Sequence, residues 1–291
     1  MKKATFIIIL SSLLFACNDS EIVLPRPEKK ISVAGFFNTD SLFIHICENT
    51  YMFDYENWDS IVDIENANVT VLENGIPMPN ITKKKIERDL YRPGYYYTSS
   101  QLPIEGNEYS LQITAPGYPE VKSTTYIPQG IPIDVDSWIV DENYLLVEFK
   151  VSFSDPANNE NFYMLELRDY SGVVSLYSHV QIYSSDPVIE ASLTSSWNQL
   201  LFSDKSIDGK NYSLIFRANL NWYAETFTVR LNCLSDDLYK HFLSFEQWYV
   251  NYYDGFSEPV LVYQNINGGV GIFAGYSYRE FDIQNPFYSP K

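Results

Sequence analysis

Asn68-Val69-Thr70-Val71-Leu72-Glu73 alternates in side-chain character and runs straight into Asn74-Gly75. A period of two sends successive side chains to opposite faces of an extended strand, so Val69 and Val71 share one face. Asn-Gly is the pair that most readily takes positive φ at both central positions of a tight hairpin turn. The same pattern extends outward from this point. Gly94-Tyr95-Tyr96-Tyr97-Thr98 and Tyr109-Ser110-Leu111-Gln112-Ile113-Thr114 are further strands, the second closed by Ala115-Pro116-Gly117. Short strands with well-marked turns predict two packed sheets over residues 31–129.

Gln129-Gly130-Ile131-Pro132 marks the junction to a second β-rich block, residues 130–291. Its predicted strands are Tyr144–Phe153, Phe162–Arg168, Tyr212–Ala218 and Thr226–Leu231, with Pro259–Tyr263 and Gly271–Tyr276 closing it. One helix is predicted at about 236–252. Ser235 can cap it, Asp236 and Asp237 fall where the dipole favours acids, and Leu238, Phe242 and Phe245, with Trp248 or Tyr249 following, make an aromatic stripe to lay on a sheet. In the first block, the strand over Ala67–Val71, the Gly-Tyr-Tyr strand and Gly106-x-x-Tyr109-x-Leu111 resemble transthyretin-like modules. The expected fold is therefore mainly β: a transthyretin- or immunoglobulin-like β-sandwich, then a β-rich domain carrying one long C-terminal helix.

The N-terminus tells of export. Met1-Lys2-Lys3 is a short basic start, Phe6 to Leu14 is largely apolar, and Phe15-Ala16-Cys17 ends the run. A basic n-region, a short apolar h-region and a small residue before the cut describe a signal peptide over residues 1–16. Leu14-Phe15-Ala16-Cys17 resembles the lipobox of bacterial lipoproteins, in which the cysteine thiol carries the lipid. Cys17 is thus the expected lipid attachment point. Residues 17–30, with Leu24-Pro25-Arg26-Pro27, form a tether, and two or three acyl chains hold a protein stably to a membrane.

Loss of residues 1–16 removes two lysines and no acid, which moves the formal charge from −17 to −19. That sign argues against phosphate-backbone binding, which needs clustered Lys and Arg. Cys47 and Cys233 sit in apolar runs without CxxC spacing and read as buried free thiols, the alternative being a disulfide between them, which an oxidising compartment permits. His45, His179 and His241 form no HExxH, no HxH and no Cys/His pair, so no zinc site is expected. No nucleophile elbow and no phosphate loop is present, and the chain reads as non-enzymatic. Asp155–Asn161 and Asp204–Asp208 carry the hard oxygens that calcium takes, yet neither follows the EF-hand order. Asp, Asn and Gly in such loops commonly cap turns, and no metal or cofactor beyond the covalent lipid is expected.

Tyr51, Phe53, Tyr55 and Trp58 lie among Glu48, Asp54, Glu56 and Asp59. Aromatics in acidic, turn-prone sequence suit a partner contact, because they bring large area at low entropic cost. The alternative is a long hairpin whose rings fold back on the sandwich.

Several segments of the second block point to one family. Ser154-Asp155-Pro156 with Asn161-Phe162-Tyr163, Phe202-Ser203-Asp204 with Asp208-Gly209-Lys210-x-Tyr212, and Leu234-Ser235-x-x-x-Tyr239 with Glu258-Pro259-Val260 occur in its order. Asn265-Ile266-x-x-Gly269-x-Gly271-Ile272-Phe273 closes the series. The whole is similar to the Bacteroidota lipoprotein family catalogued as domain of unknown function 4249. The resemblance implies an outer-membrane, surface-facing lipoprotein that assists a TonB-dependent transporter, and it supplies no catalytic residues. Within it, Asp19 and Glu21 look like the acidic export signal to the cell surface. The competing expectation is a structural or adhesive surface scaffold.

Overall fold

The computed structural model describes residues 28–49, 62–64, 66–85, 95–170, 178–193, 199–252 and 257–288. Its strands in chain order begin with β1 (Ile31–Asn38), β2 (Ser41–Glu48), β3 (Asn68–Glu73), β4 (Ile76–Pro77), β5 (Thr82–Lys85) and β6 (Tyr95–Thr98). Next come β7 (Glu108–Thr114), β8 (Val121–Tyr126), β9 (Ile133–Asp141), β10 (Leu146–Ser154), β11 (Phe162–Tyr170) and β12 (Ser178–Val180). The series ends with β13 (Ile182–Tyr183), β14 (Ile189–Leu193), β15 (Gln199–Ser203), β16 (Asn211–Asn219), β17 (Thr226–Leu234) and β18 (Val270–Gln284). Helix α1 (Asp236–Tyr252) lies between β17 and β18. The protein is mostly β, in several sheets, with one helix near the C-terminus.

Asn74 and Gly75 take φ of 48° and 78°, and the β3–β4 hairpin they predict forms. Val69 and Val71 face inward opposite Ile113 and Leu111 of β7. The sheet β4-β3-β7-β8 meets β1, β2 and β6 across one core, in which Phe37 contacts both Tyr109 and Phe273. A second core lies between β10 and β16 on one side and β11, β15 and β17 on the other, filled by Phe149, Phe202, Phe216 and Phe227.

One sheet serves both cores. Its order is β14-β15-β11-β17-β18-β1-β2-β6-β5, with β12 beside β11. The join is β1 with β18, a parallel pairing from Ser32↔Val270 to Phe37↔Gly275. Beyond Gly275, β18 continues antiparallel to β17 as far as Thr226↔Gln284. Gly271 (φ 106°) makes the join possible, since a Cβ there would lie 2.0 Å from the Val33 carbonyl oxygen.

The turn at the junction is pinned. Arg279 grips Glu105 through both terminal nitrogens at 2.7 and 3.0 Å, and Glu105 also accepts the Gly130 N–H at 3.0 Å. A Cβ on Gly130 would lie 2.3 Å from the guanidinium, so a larger residue would displace Arg279 from its present position. Ile131 is buried behind it.

Helix α1 spans the residues its sequence predicts. Ser235 accepts the Leu238 N–H on its hydroxyl at 3.4 Å and the Tyr239 N–H on its carbonyl at 3.0 Å. Leu238, Tyr239, Phe242 and Leu243 pack on Phe162, Met164, Leu201 and Ile272. Two expectations need correction. The apolar stripe does not all face the sheet: Glu246 is buried, and Trp248, roughly 200° further round the helix, is exposed. Phe245, Trp248 and Tyr252 instead form a ladder along the flank, with ring centroids 5.5 Å apart. The predicted strand Pro259–Tyr263 is an extended segment held by helix side chains: Ser244 Oγ accepts the Tyr263 N–H at 2.7 Å, and Asn251 donates to the Glu258 carbonyl at 3.0 Å. Pro259 has no N–H to give a ladder.

Candidate functional site

Two loops named in the sequence converge beside the second core. Asp155 follows β10, Asp204 follows β15, and their carboxylate oxygens lie with one from Asp208 within 4.8 Å of one another. Three carboxylates so close repel unless donors offset the charge. Each has them. Asp155 accepts the Tyr163 O–H at 2.5 Å and the Gly209 N–H at 2.9 Å. Asp204 accepts from the Asn161 backbone and side chain at 2.9 and 3.2 Å, and Asp208 accepts the Asn158 N–H at 3.0 Å. Asn158 (φ 68°) and Gly209 (φ 67°) bend the loops toward these acceptors. Burial pushes the Asp204 carboxyl above its ordinary range, with Asp155 and Asp208 adding to the effect and the Asn161 bonds opposing it. The same neighbours, burial first and then the Asp155 bond, raise the Tyr163 phenol. The arrangement clasps two turns, as the residue types predict. It also gathers hard oxygens of the kind divalent cations take, although both Asp155 oxygens are already committed.

Residues 28–30 are equally well held. Lys30 donates its N–H to Asn49 Oδ1 at 2.6 Å, Asn49 returns its own N–H to the Lys30 carbonyl at 3.0 Å, and Asn49 Nδ2 reaches the Glu28 carbonyl at 3.2 Å. Glu48 donates its N–H to the Val62 carbonyl at 2.9 Å, accepts the Tyr118 hydroxyl and pairs with Lys29. Cys47 bridges to Asp63. Residues 28–30 and both flanks of residues 50–61 therefore meet at one end of the molecule. Cys17, Asp19 and Glu21, and the aromatics Tyr51, Phe53, Tyr55 and Trp58, lie outside the described residues.

The histidines stand apart by element. His45 is on β2, paired with Tyr96 of β6, and His241 is on α1, its Nδ1 2.8 Å from the Tyr263 carbonyl. The side chain of His179 on β12 is outside the described residues. Burial holds His241 below its usual value, the Tyr263 bond opposing. Cys47 and Cys233 are unpaired, on β2 and β17, and burial raises the Cys233 thiol to about 11.

One feature escaped the sequence reading. Trp138, Ile139 and Val140 on β9, Tyr144 in the following turn, and Trp222 and Tyr223 between β16 and β17 are all exposed. The Leu220 N–H bonds to the Leu145 carbonyl and Asn219 Nδ2 to the Tyr144 carbonyl, both at 2.9 Å, which brings the two segments together. The only local signal is an apolar pair, Trp222-Tyr223, inside a polar turn.

These features define the class: a mostly β, multi-sheet protein with one C-terminal helix, whose loops are clasped by carboxylates. Among the described residues no helix is long and apolar enough to cross a membrane. The chain belongs to the family described as Domain of unknown function (DUF4249), which it matches over residues 18–282. A comparison with curated proteins finds no match.

Proposed function

We propose that the protein is a non-enzymatic, lipid-anchored lipoprotein of the outer membrane, facing the cell surface, that assists a TonB-dependent transporter in ligand capture or uptake. The anchor is Cys17, and Asp19 and Glu21 contribute to surface export. One observation carries the choice of partner: the bonds among Glu28, Lys30, Asn49, Glu48 and Val62 bring residue 28, next to the proposed tether, together with Asn49 and Val62, the described flanks of the sequence that bears Tyr51, Phe53, Tyr55 and Trp58. A chain held to a bilayer by residues 17–30 turns that end toward the membrane. On this reading a partner embedded in the same membrane is favoured over one approaching from outside. Family membership that begins at residue 18, directly after Cys17, supports a mature chain starting at the cysteine.

Two experiments test this. Intact-mass analysis of the mature protein should find acyl chains on Cys17, absent in Cys17→Ser; an unmodified cysteine ends the anchor proposal. Cross-linking in the producing cells should recover a transporter. The yield should fall when Tyr51, Phe53, Tyr55 and Trp58 are replaced by Ser with folding intact. Native protein recovered without a transporter rules out the uptake role.

A further inference from the structure

Strand β18 runs 15 residues, a span of roughly 50 Å at strand rise. Its first residues pair with Ser32, beside the tether exit, and its last with Thr226. Asn285, the next residue, holds the opposite end of the molecule. Its Nδ2 donates to the carbonyls of Asn221 and Ala224 at 2.8 and 2.6 Å, and its N–H to the Glu225 carbonyl at 3.0 Å. Asn221 in turn donates to Asp169 at 2.7 Å and accepts the Ala224 N–H at 2.8 Å. The backbone of this turn is fixed from both sides while Trp222 and Tyr223 stand outward, edge to face at 6.2 Å.

Single exposed apolar residues need no explanation, but a cluster does. Tyr144 is 72% exposed, Tyr223 59% and Trp222 53%, and on β9 Trp138 and Val140 are exposed on one face and Ile139 on the other. A fixed turn presents such rings with little further ordering cost on binding. The turns that carry the rings are acidic. Asp141, Glu142 and Glu225 flank the rings, and neither 138–144 nor 219–225 contains Lys, Arg or His. Arg217, two residues before Asn219 on β16, is paired with Glu148 at 2.5 Å.

The acidic turns select the occupant. A second copy would bring the same carboxylates against these, and an anionic bilayer would be repelled in the same way. A protein surface with an apolar centre and a ring of Lys and Arg is complementary in both respects. We infer that the end of the molecule remote from the tether docks a protein of that description. The inference stands apart from the uptake proposal, which concerns the opposite end.

The test is panning of random short peptides, displayed on phage, against the full chain immobilised by its N-terminal end. Recovered peptides should combine apolar residues with Lys or Arg. Their affinity should fall about tenfold or more in the double variant Trp222→Ser, Tyr223→Ser, as for aromatic anchors generally. It should also fall in Glu142→Lys, Glu225→Lys, which leaves every ring in place, and weaken with salt. Leu261→Ser, which removes a 92% exposed leucine elsewhere, should change nothing. An unchanged thermal midpoint in each variant excludes unfolding. The inference is overturned by peptides without basic enrichment, by no enrichment at all, or by binding indifferent to the four substitutions. It is equally overturned if sedimentation finds a dimer that the same variants abolish, or if they abolish binding to phosphatidylcholine vesicles.

Discussion

Asp204 is buried within reach of two other carboxylates, and its raised pKa has a definite sign. Between the ordinary carboxylate value and the raised folded value, the native state holds more protons than the unfolded chain. Stability from this group therefore falls as pH rises through that window, opposite to the usual carboxylate. Asp204→Asn keeps an acceptor for Asn161 and removes the charge, so it should flatten that slope and be neutral or stabilising near pH 7. Urea unfolding at several pH values checks this; a marked loss at neutral pH, reversed by calcium in the parent only, would instead mean that the three acids hold a cation. Tyr163→Phe withdraws the hydroxyl donor from buried Asp155 and should cost about 1–3 kcal/mol in the same assay. The sequence named both loops because Asp, Asn and Gly cluster there. It gave no sign of their convergence, because Asp155 and Asp204 are brought together by strands that are neighbours only in space.

At the scale of elements, what could be read was local. Asn74-Gly75 announces a turn whatever surrounds it, and Ser235 with two following acids announces a helix start. Glycines in β18 carry the long-range information but do not look like it. Gly271 lies against the Val33 carbonyl in the parallel pairing, and its φ of 106° suits no other residue. Gly271→Ala should destabilise the protein by about 2 kcal/mol or more, seen as a lower thermal midpoint. The length of β18 escaped prediction for a related reason. Ser277 is buried where alternation calls for an apolar residue, and Arg279, two residues on and partly exposed, serves Glu105 across the junction. Pro259–Tyr263 failed the other way: an apolar run reads as a strand, while its backbone partners are side chains of α1.

For the molecule as a whole, two cores share one sheet, and residues 128–132 cross between them under the Glu105–Arg279 grip. Arg279 holds the Glu105 carboxyl below its ordinary range, assisted by the Gly130 N–H and opposed by burial. Limited proteolysis should spare this crossing in the parent chain and cut there in Glu105→Ala, read by mass spectrometry of the first fragments. Early cleavage at 129–133 in the parent would mean that the grip does not hold. Urea unfolding should be a single transition, since separating the two cores requires breaking the six-residue pairing of β1 with β18.

That pairing also orders events in time. A chain made from its N-terminus delivers β1 first and its parallel partner last, with more than two hundred residues between Phe37 and Val270. Closing so long a loop costs only a few kcal/mol, but contacts of such separation form slowly. Until residues 270–275 arrive, β1 has β2 on one side and an open edge on the other, an invitation to wrong pairing. A newly made chain must be kept from its neighbours through that interval. A truncation ending before β18 should aggregate even with every earlier strand intact.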